Sequence, residues 1–330
     1  MQRIERLKVE HDALLIEDPI DLYYLTGIEL SLGQLVVTKE GATLYVDGRY
    51  QEEAQAKSPV PVKEKLELSG KVAFDAQKTT FARYEELKKE CEPIAISNPV
   101  QALRAHKDAA EVEKLKAASQ LGLKGYHVIL DALKEGVTEK EMVVELEIFW
   151  KREGGSGAAF SPIVAFGENS SKPHYHPSNR ALKSGDVVLI DIGVKLDHYN
   201  SDMTRIFFFG HPDPKVEKIY AIVKEAQARA LALCRPGVRL KELDLAARDY
   251  IAEQGYGKEF VHSLGHGLGL EVHEFPRIHS KGKDADCSLE EGMVITIEPG
   301  IYLPGIGGIR LEDSVVITKE GYLNLTNIPV

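Results

Sequence analysis

The chain has 330 residues, of which 43% are hydrophobic and 28% charged, with a formal net charge of -10. That composition describes a soluble globular protein with a full core and enough length for two domains. The acidic balance argues against a nucleic-acid backbone as partner, and no apolar run approaches membrane-spanning length, so neither nucleic acid nor membrane is expected.

The N-terminal stretch MQRIERLKVEHDALLIED scatters charge along its length and has no apolar leader segment, which predicts a cytoplasmic setting. Cys91, Cys234 and Cys287 lie far apart without metal-ligand spacing, as in a reducing compartment. Cys91 and Cys234 read as small buried apolar residues.

Short apolar strands alternate with amphipathic helices up to about residue 100. ALLIED and the two arms of QLVVTKEGATLYVD read as strands, the arms turning at Lys39-Glu40-Gly41. RYQEEAQAK reads as a helix, KVAFD as a strand and FARYEELKKE as a second helix. SNPVQALRAHK then links this small α/β unit, residues 1–104, to a second unit, residues 105–330. The second unit opens with a helix from Asp108 to Gly136, where Glu111 supplies the capping-box partner. Thr138 and Glu141 predict the next helix start in the same way, and that helix ends before Gly154-Gly155. A third helix begins near Pro214 and stops before Pro236-Gly237, and a fourth covers KELDLAARDYIAEQ.

The second unit carries a weak internal repeat. EGVTEKEMVVELEIFWKREGG resembles PGVRLKELDLAARDYIAEQGYG, and IDIGV resembles IEPGI. In each half a helix pair precedes a strand with an acid beside a glycine. Halves facing each other would bring Asp191 and Glu298 into one pocket.

Five residues stand out: Asp191, Asp202, His266, Glu298 and Glu312. VVLIDIGV is a strand that Asp191 interrupts; the chain turns through KLDHYN and returns as SDMTRIFFF, setting Asp202 beside it. GMVITIEPGIYL and GIGGIRLEDSVVI repeat the device with Glu298 and Glu312, and period-two alternation puts Arg310, Glu312 and Ser314 on one face. Four carboxylates and an imidazole are costly to bury unless cations hold them together. An oxygen-rich set with one imidazole points to a pair of divalent ions, manganese first, with cobalt, iron or zinc as alternatives. Two such ions can hold a hydroxide, lower its pKa and polarise a carbonyl.

Glycines flank His266, but GHGLGL does not follow the GxGxxG spacing of a nucleotide loop. His174, His262 and His273 lie near these segments and read as groups that shuttle protons or stabilise an oxyanion. His11, His106, His127, His211 and His279 read as ordinary surface or core residues, while His176 and His198 fit either reading.

The segments IDIGVKLDHYNSDMTRIF, HSLGHGLGLEVHE, ITIEPGIYL and GIRLEDSVVI resemble the Xaa-Pro peptidases, the aminopeptidase P and prolidase branch of the pita-bread metallopeptidases. The resemblance covers residues 105–330. DLYYLTGIE and VDGRYQEEA more loosely resemble the creatinase-type N-terminal domain. The resemblance implies an α/β (α+β) fold: a pita-bread catalytic domain behind a smaller creatinase-type domain. It implies a dinuclear peptidase that cleaves between an N-terminal residue and a following proline, by a hydroxide bridging the ions. Asp191 and Glu312 would bridge the ions, Asp202 would complete one, and His266 with Glu298 the other. Glu298 would double as general base, His174 would face the substrate, and His262 and His273 would orient it and stabilise the intermediate. Arg310 and Tyr302 match positions beside the carboxylate ligands. The implied partners are proline-containing peptides with a free N-terminus and a second copy in a homodimer. Three alternatives stay open: a methionine-aminopeptidase-like enzyme, creatinase-like chemistry without metal, and a silent binding module on the same scaffold. Between dipeptides and longer peptides the reading leans toward the aminopeptidase.

Overall fold

The computed structural model describes residues 2–327. They form two compact units, one up to Arg104 and one from Ala105 onward.

The first unit runs α1 (Gln2–Glu5), β1 (Ala13–Ile16), α2 (Pro19–Thr26), β2 (Gln34–Val37), β3 (Ala42–Tyr45), α3 (Gln51–Lys57), β4 (Val62–Lys63), β5 (Lys71–Asp75), α4 (Phe81–Glu90) and β6 (Glu92–Ile96). Its strands make one sheet in the order β4-β3-β2-β1-β5-β6. β1, β2 and β3 are antiparallel, whereas β5 and β6 run parallel to β1. Leu14, Leu15, Leu35, Leu44, Phe74 and Leu87 are buried. The predicted strands and both predicted helices are present. Helix α2 was not expected, yet its ends are written in the sequence. Asp18 accepts from the Ile20 and Asp21 amides, Pro19 occupies the first turn where no donor is needed, and Gly27 closes the helix at φ 74°.

A short helix, α5 (Gln101–Ala105), crosses the boundary. The second unit continues with α6 (Ala109–Ala132), α7 (Glu139–Arg152), β7 (Gly157–Ala158), β8 (Ile163–Phe166), β9 (Asp186–Ile192), β10 (Val194–Leu196), β11 (Tyr199–Asn200) and β12 (Met203–Phe209). Then come α8 (Pro214–Leu231), α9 (Leu240–Glu253), β13 (Gly265–Gly267), β14 (Glu274–Ile278), β15 (Val294–Ile297), β16 (Gly300–Leu303), β17 (Gly307–Arg310), β18 (Asp313–Ile317) and β19 (Tyr322–Asn324). Both capping boxes form as predicted. Helix α6 stops at Ala132 rather than at Gly136. Gly136 takes φ 90° and donates its N–H to Leu182 O, so the last residues of that stretch belong to a turn. No helix among the described residues is long and apolar enough to cross a membrane.

β8, β9 and β12 form one antiparallel sheet, and β14, β13, β15, β18 and β19 another. Leu121, Ile129, Met142, Leu146 and Trp150 of α6 and α7 pack on Val188, Ile190 and Met203. In the second half, Ile219, Val223, Leu243 and Ala247 of α8 and α9 pack on Ile295, Ile297 and Val315. The internal repeat is visible in the backbone. Gly136 and Leu182 exchange hydrogen bonds with Leu182 O and Val137 O, and Gly237 and Leu289 do the same with Leu289 O and Val238 O. Glu139 N and Lys140 N donate to Arg180 O and Ser178 O; Leu240 N and Lys241 N donate to Cys287 O and Ala285 O. Each half is therefore the same clip: a helix start stapled to the strand that leads toward the acids.

Candidate metal centre

The first hairpin is an unbroken ladder in which Asp191 of β9 lies opposite Thr204 of β12. Asp202 stands one residue before β12, and both acids are buried. The second hairpin is interrupted. β15 pairs with β18 and β16 with β17, leaving Glu298-Pro299 on one arm and Leu311-Glu312 on the other outside the ladder. Proline has no N–H to offer a ladder, so the strand breaks where Glu298 must leave it. Glu312 instead bridges Thr204 across to the first hairpin, and its N–H donates to Thr204 O at 3.2 Å. That bridge joins the two halves at the acids.

His266 lies in the glycine-flanked strand β13. A side chain at Gly265 or Gly267 would collide with the Thr296 or Phe275 backbone, so the strand can approach its neighbours only with glycine there. One ligand atom each from Asp202, His266 and Glu312 lie within 4.8 Å of one another. His266 Nε2 is 3.6 Å from Asp202 and 3.5 Å from Glu298.

Arg310 supplies a fixed cation among the acids. It pairs with Asp191, and its Nε donates to Thr204 Oγ1 at 3.1 Å, while Thr204 Oγ1 donates to Glu312 at 2.7 Å. Ser314 donates to Asp202 O at 2.8 Å, so Arg310, Glu312 and Ser314 do reach the same side. One cation does not balance four carboxylates. Burial, then the neighbouring acids, push Asp202 and Glu298 well above the carboxylate range, and burial with Asp191 pushes Glu312 up to about 8.

His266 is pulled the other way. Burial, with His273 beside it, lowers its pKa to about 3. Its Nδ1 lies 3.0 Å from Gly267 O, which a ring N–H must donate to, so the Nε2 lone pair faces Asp202 and Glu298. A lone pair aimed at ionised carboxylates is repulsive unless a cation or a proton lies between them. Asp191 Oδ1 is also buried without a hydrogen-bond partner. The donor set fits divalent metal.

His262 belongs to a relay. Arg310 donates to Tyr302 Oη at 2.8 Å, so the Tyr302 hydroxyl proton points to His262 Nε2 at 2.8 Å, and His262 Nδ1 donates to Ser263 O at 2.8 Å. Both ring nitrogens of His262 are engaged, and burial with Arg310 nearby lowers its pKa to about 4. Burial pushes Tyr302 up to about 12. His273 meets His266 edge-on at 4.2 Å between centroids.

A cavity of about 600 Å³ opens over the acids, lined among others by His174, His176, His262 and His273. Phe160, Ile163, Tyr175 and Val272 make an apolar wall, and Arg277 brings a second guanidinium, held by Ser263 Oγ at 2.7 Å. Every residue predicted for the site except Tyr302 lines this cavity, and Tyr302 touches it through Arg310 and His262. Arg277, Thr204, Thr296 and Glu139 were not singled out from the sequence. Thr296, two residues before Glu298, accepts from His266 N at 3.1 Å. Period-two alternation from Glu298 could have flagged it; nothing local marks Arg277.

Residues 113–319 match metallopeptidase family M24, and residues 3–106 match the creatinase/prolidase N-terminal domain. The chain belongs to metallopeptidase family M24. It is a hydrolase with the pita-bread catalytic fold behind a creatinase-type unit, and its family implies divalent metal ions. A curated relative, the Xaa-Pro dipeptidase of Pyrococcus horikoshii, is 40% identical over 327 residues, 96% of this chain and 92% of that protein. The solved Xaa-Pro dipeptidase of Bacillus anthracis is 35% identical with a TM-score of 0.95, covering 100% of this chain and 98% of that one. The X-Pro aminopeptidase of Thermotoga maritima is 34% identical with a TM-score of 0.89, covering 99% and 98%.

Proposed function

We propose that this protein hydrolyses the bond between an N-terminal residue and a following proline, and that it acts on dipeptides. The observation that carries the reading is the convergence of Asp202, His266 and Glu312, with Glu298 and Asp191 beside them, under a cavity with an apolar wall. Asp191, Asp202, His266, Glu298 and Glu312 are the residues that would hold the two ions. Bound there, the ions supply Lewis acidity toward the peptide carbonyl and lower the pKa of water. Glu298 accepts the water proton and hands it to the leaving proline nitrogen. His273 and His174 face the cavity and steady charge on the carbonyl oxygen. His262, with both nitrogens engaged, holds the Tyr302–Arg310 relay that fixes Asp191. Phe160, Ile163, Tyr175 and Val272 offer a surface for the pyrrolidine ring.

The sequence leaned toward the aminopeptidase. Arg277 turns the reading to the dipeptidase, because a guanidinium on the cavity wall is placed to take a free C-terminal carboxylate. The Pyrococcus and Bacillus anthracis relatives are named Xaa-Pro dipeptidases, while the Thermotoga maritima neighbour is named an X-Pro aminopeptidase. Manganese is the proposed ion, with cobalt, iron or zinc next, in a cytoplasmic homodimer. The three unpaired cysteines suit that compartment.

The test is hydrolysis of Ala-Pro, Ala-Pro-Ala and Ala-Ala-Ala by metal-stripped protein refilled with Mn²⁺. Cleavage of Ala-Pro alone is expected, and Arg277→Ala should raise KM for it. Efficient release of alanine from the tripeptide Ala-Pro-Ala returns the reading to the aminopeptidase. Equal cleavage of Ala-Ala-Ala removes the proline requirement.

A further inference from the structure

The two matched clips of the catalytic unit differ at one buried position. Glu139 and Leu240 follow equivalent residues and make equivalent backbone hydrogen bonds. Both are 0% exposed. Leu240 is an ordinary member of an apolar cluster with Leu243 and Leu289. The frame therefore accepts an apolar residue there. In the half that carries His174 the position instead holds a carboxylate, whose burial is expensive unless it is saturated with donors.

Glu139 is saturated, and all its side-chain donors come from one segment. Oε1 accepts from Phe166 N at 2.8 Å and Asn169 Nδ2 at 3.0 Å. Oε2 accepts from Tyr175 Oη at 2.7 Å, Ser178 N at 2.9 Å and Ser178 Oγ at 2.7 Å. One oxygen grips the entry of the Phe166–Ser178 loop and the other its exit. Asn169 Nδ2 also donates to Tyr175 Oη at 2.8 Å, tying the two ends together. Between the grips lie His174, Tyr175 and His176, all on the cavity wall. The loop is further docked where Ser170 Oγ accepts from Gly308 N at 2.8 Å. Glu139 itself sits at the first turn of α7, where the helix dipole favours a negative charge.

We propose that Glu139 is a positioning residue: it fixes the His174–His176 loop over the metal centre and affects the reaction only through that loop. The proposal rests on the peptidase reading for its kinetic readout and on loop order for a readout independent of it.

The experiment is a double-variant cycle on Mn²⁺-loaded protein with Ala-Pro, using Glu139→Gln, His174→Ala and both together. An amide can accept at one end only, so the loop loses its grip at the other. Glu139→Gln should lower kcat/KM on the order of 100-fold, as misplacement of a substrate-facing group does. The loss should divide between kcat and KM as it does in His174→Ala, and the double variant should fall within about twofold of the worse single variant. Metal content should not change, and amide exchange over 172–179 should quicken. Multiplicative losses, unchanged activity or unchanged exchange would each overturn the proposal. If Glu139→Gln does not fold, Asn169→Ala combined with Ser178→Ala keeps the carboxylate and removes two of its donors. That variant should show a smaller loss with the same lack of additivity toward His174→Ala, and additive losses would again reject the idea. If the wild type leaves Ala-Pro intact, the peptidase reading fails, and exchange in Glu139→Gln alone decides the clamp.

Discussion

The two halves of the catalytic unit share a frame and deliver their acids differently. The first half keeps its ladder intact from Asp186 to Ile192 and sends in short Asp side chains. The second breaks its ladder at Glu298-Pro299 and Leu311-Glu312 and sends in longer Glu side chains from the gap. The register carries across that gap, with Ile297 opposite Asp313 and Gly300 opposite Arg310, so Glu298 and Glu312 keep the pleat's alternation and differ from the Asp side chains in length. The second half thus supplies the longer reach. The acids meet at the Thr204–Glu312 bridge.

If both halves are needed, removing an acid from either should have the same and largest effect. Asp202→Ala in the first half and Glu298→Ala in the second should each abolish turnover of Ala-Pro while the fold survives. Metal content by elemental analysis should fall in both. Near wild-type activity in either variant would break the symmetry and sink the site assignment.

The matched pair Glu139 and Leu240 sharpens the contrast. Leu240→Ala removes core volume under α9 and should cost about 2–5 kcal/mol of stability with little change in kcat per folded molecule. Denaturant unfolding alongside steady-state rates checks this. A large loss of kcat at unchanged stability would mean that both halves, not one, carry a functional residue at this position.

Much of this contrast was legible in the sequence, for physical reasons that also explain what was not. Asp191, Glu298 and Glu312 were visible because each sits in or beside an apolar strand where a charge is anomalous, and Asp202 because the chain turns back to set it beside Asp191. The capping boxes at Asp108 and Thr138 were visible because their hydrogen bonds span only three residues. Glu139 was hidden beside one of those boxes: an acid in the first turn of a helix is commonplace, and its partners lie 27–39 residues away. Arg277 was hidden because its meaning depends on a cavity, not on neighbours in sequence.

Within the second half, His266 and His273 are adjacent rings with different expected duties. His266 is half-buried with its lone pair toward the acids, whereas His273 is exposed on the cavity wall. His273→Ala should lower kcat by about 100-fold, the loss typical of one group that stabilises an oxyanion, and leave metal content unchanged. Loss of one equivalent of metal would make His273 a ligand.

The smallest effect expected is a pH slope in the stability of the metal-stripped protein, and its sign follows from the groups at the junction. Glu312 holds its proton up to about 8 in the folded state, against an ordinary value of 4.5, because burial and Asp191 disfavour its charge. Asp202 and Glu298 are shifted in the same direction. Above pH 6.5 the unfolded chain has already released these protons while the folded chain retains some, so stability falls as pH rises toward 8. Each retained proton contributes a slope of up to about 1.4 kcal/mol per pH unit. Below pH 6.5 the half-buried His262 and His266, lowered to about 4 and 3, oppose this, because the unfolded imidazoles take up protons that the folded ones refuse. Stripped protein should therefore lose Tm between pH 6.5 and 8. Mn²⁺ should remove the slope by stabilising the ionised carboxylates. A Tm of the stripped protein that is flat or rising across that window would show that the acids of the two halves are not forced together in the way the structure places them.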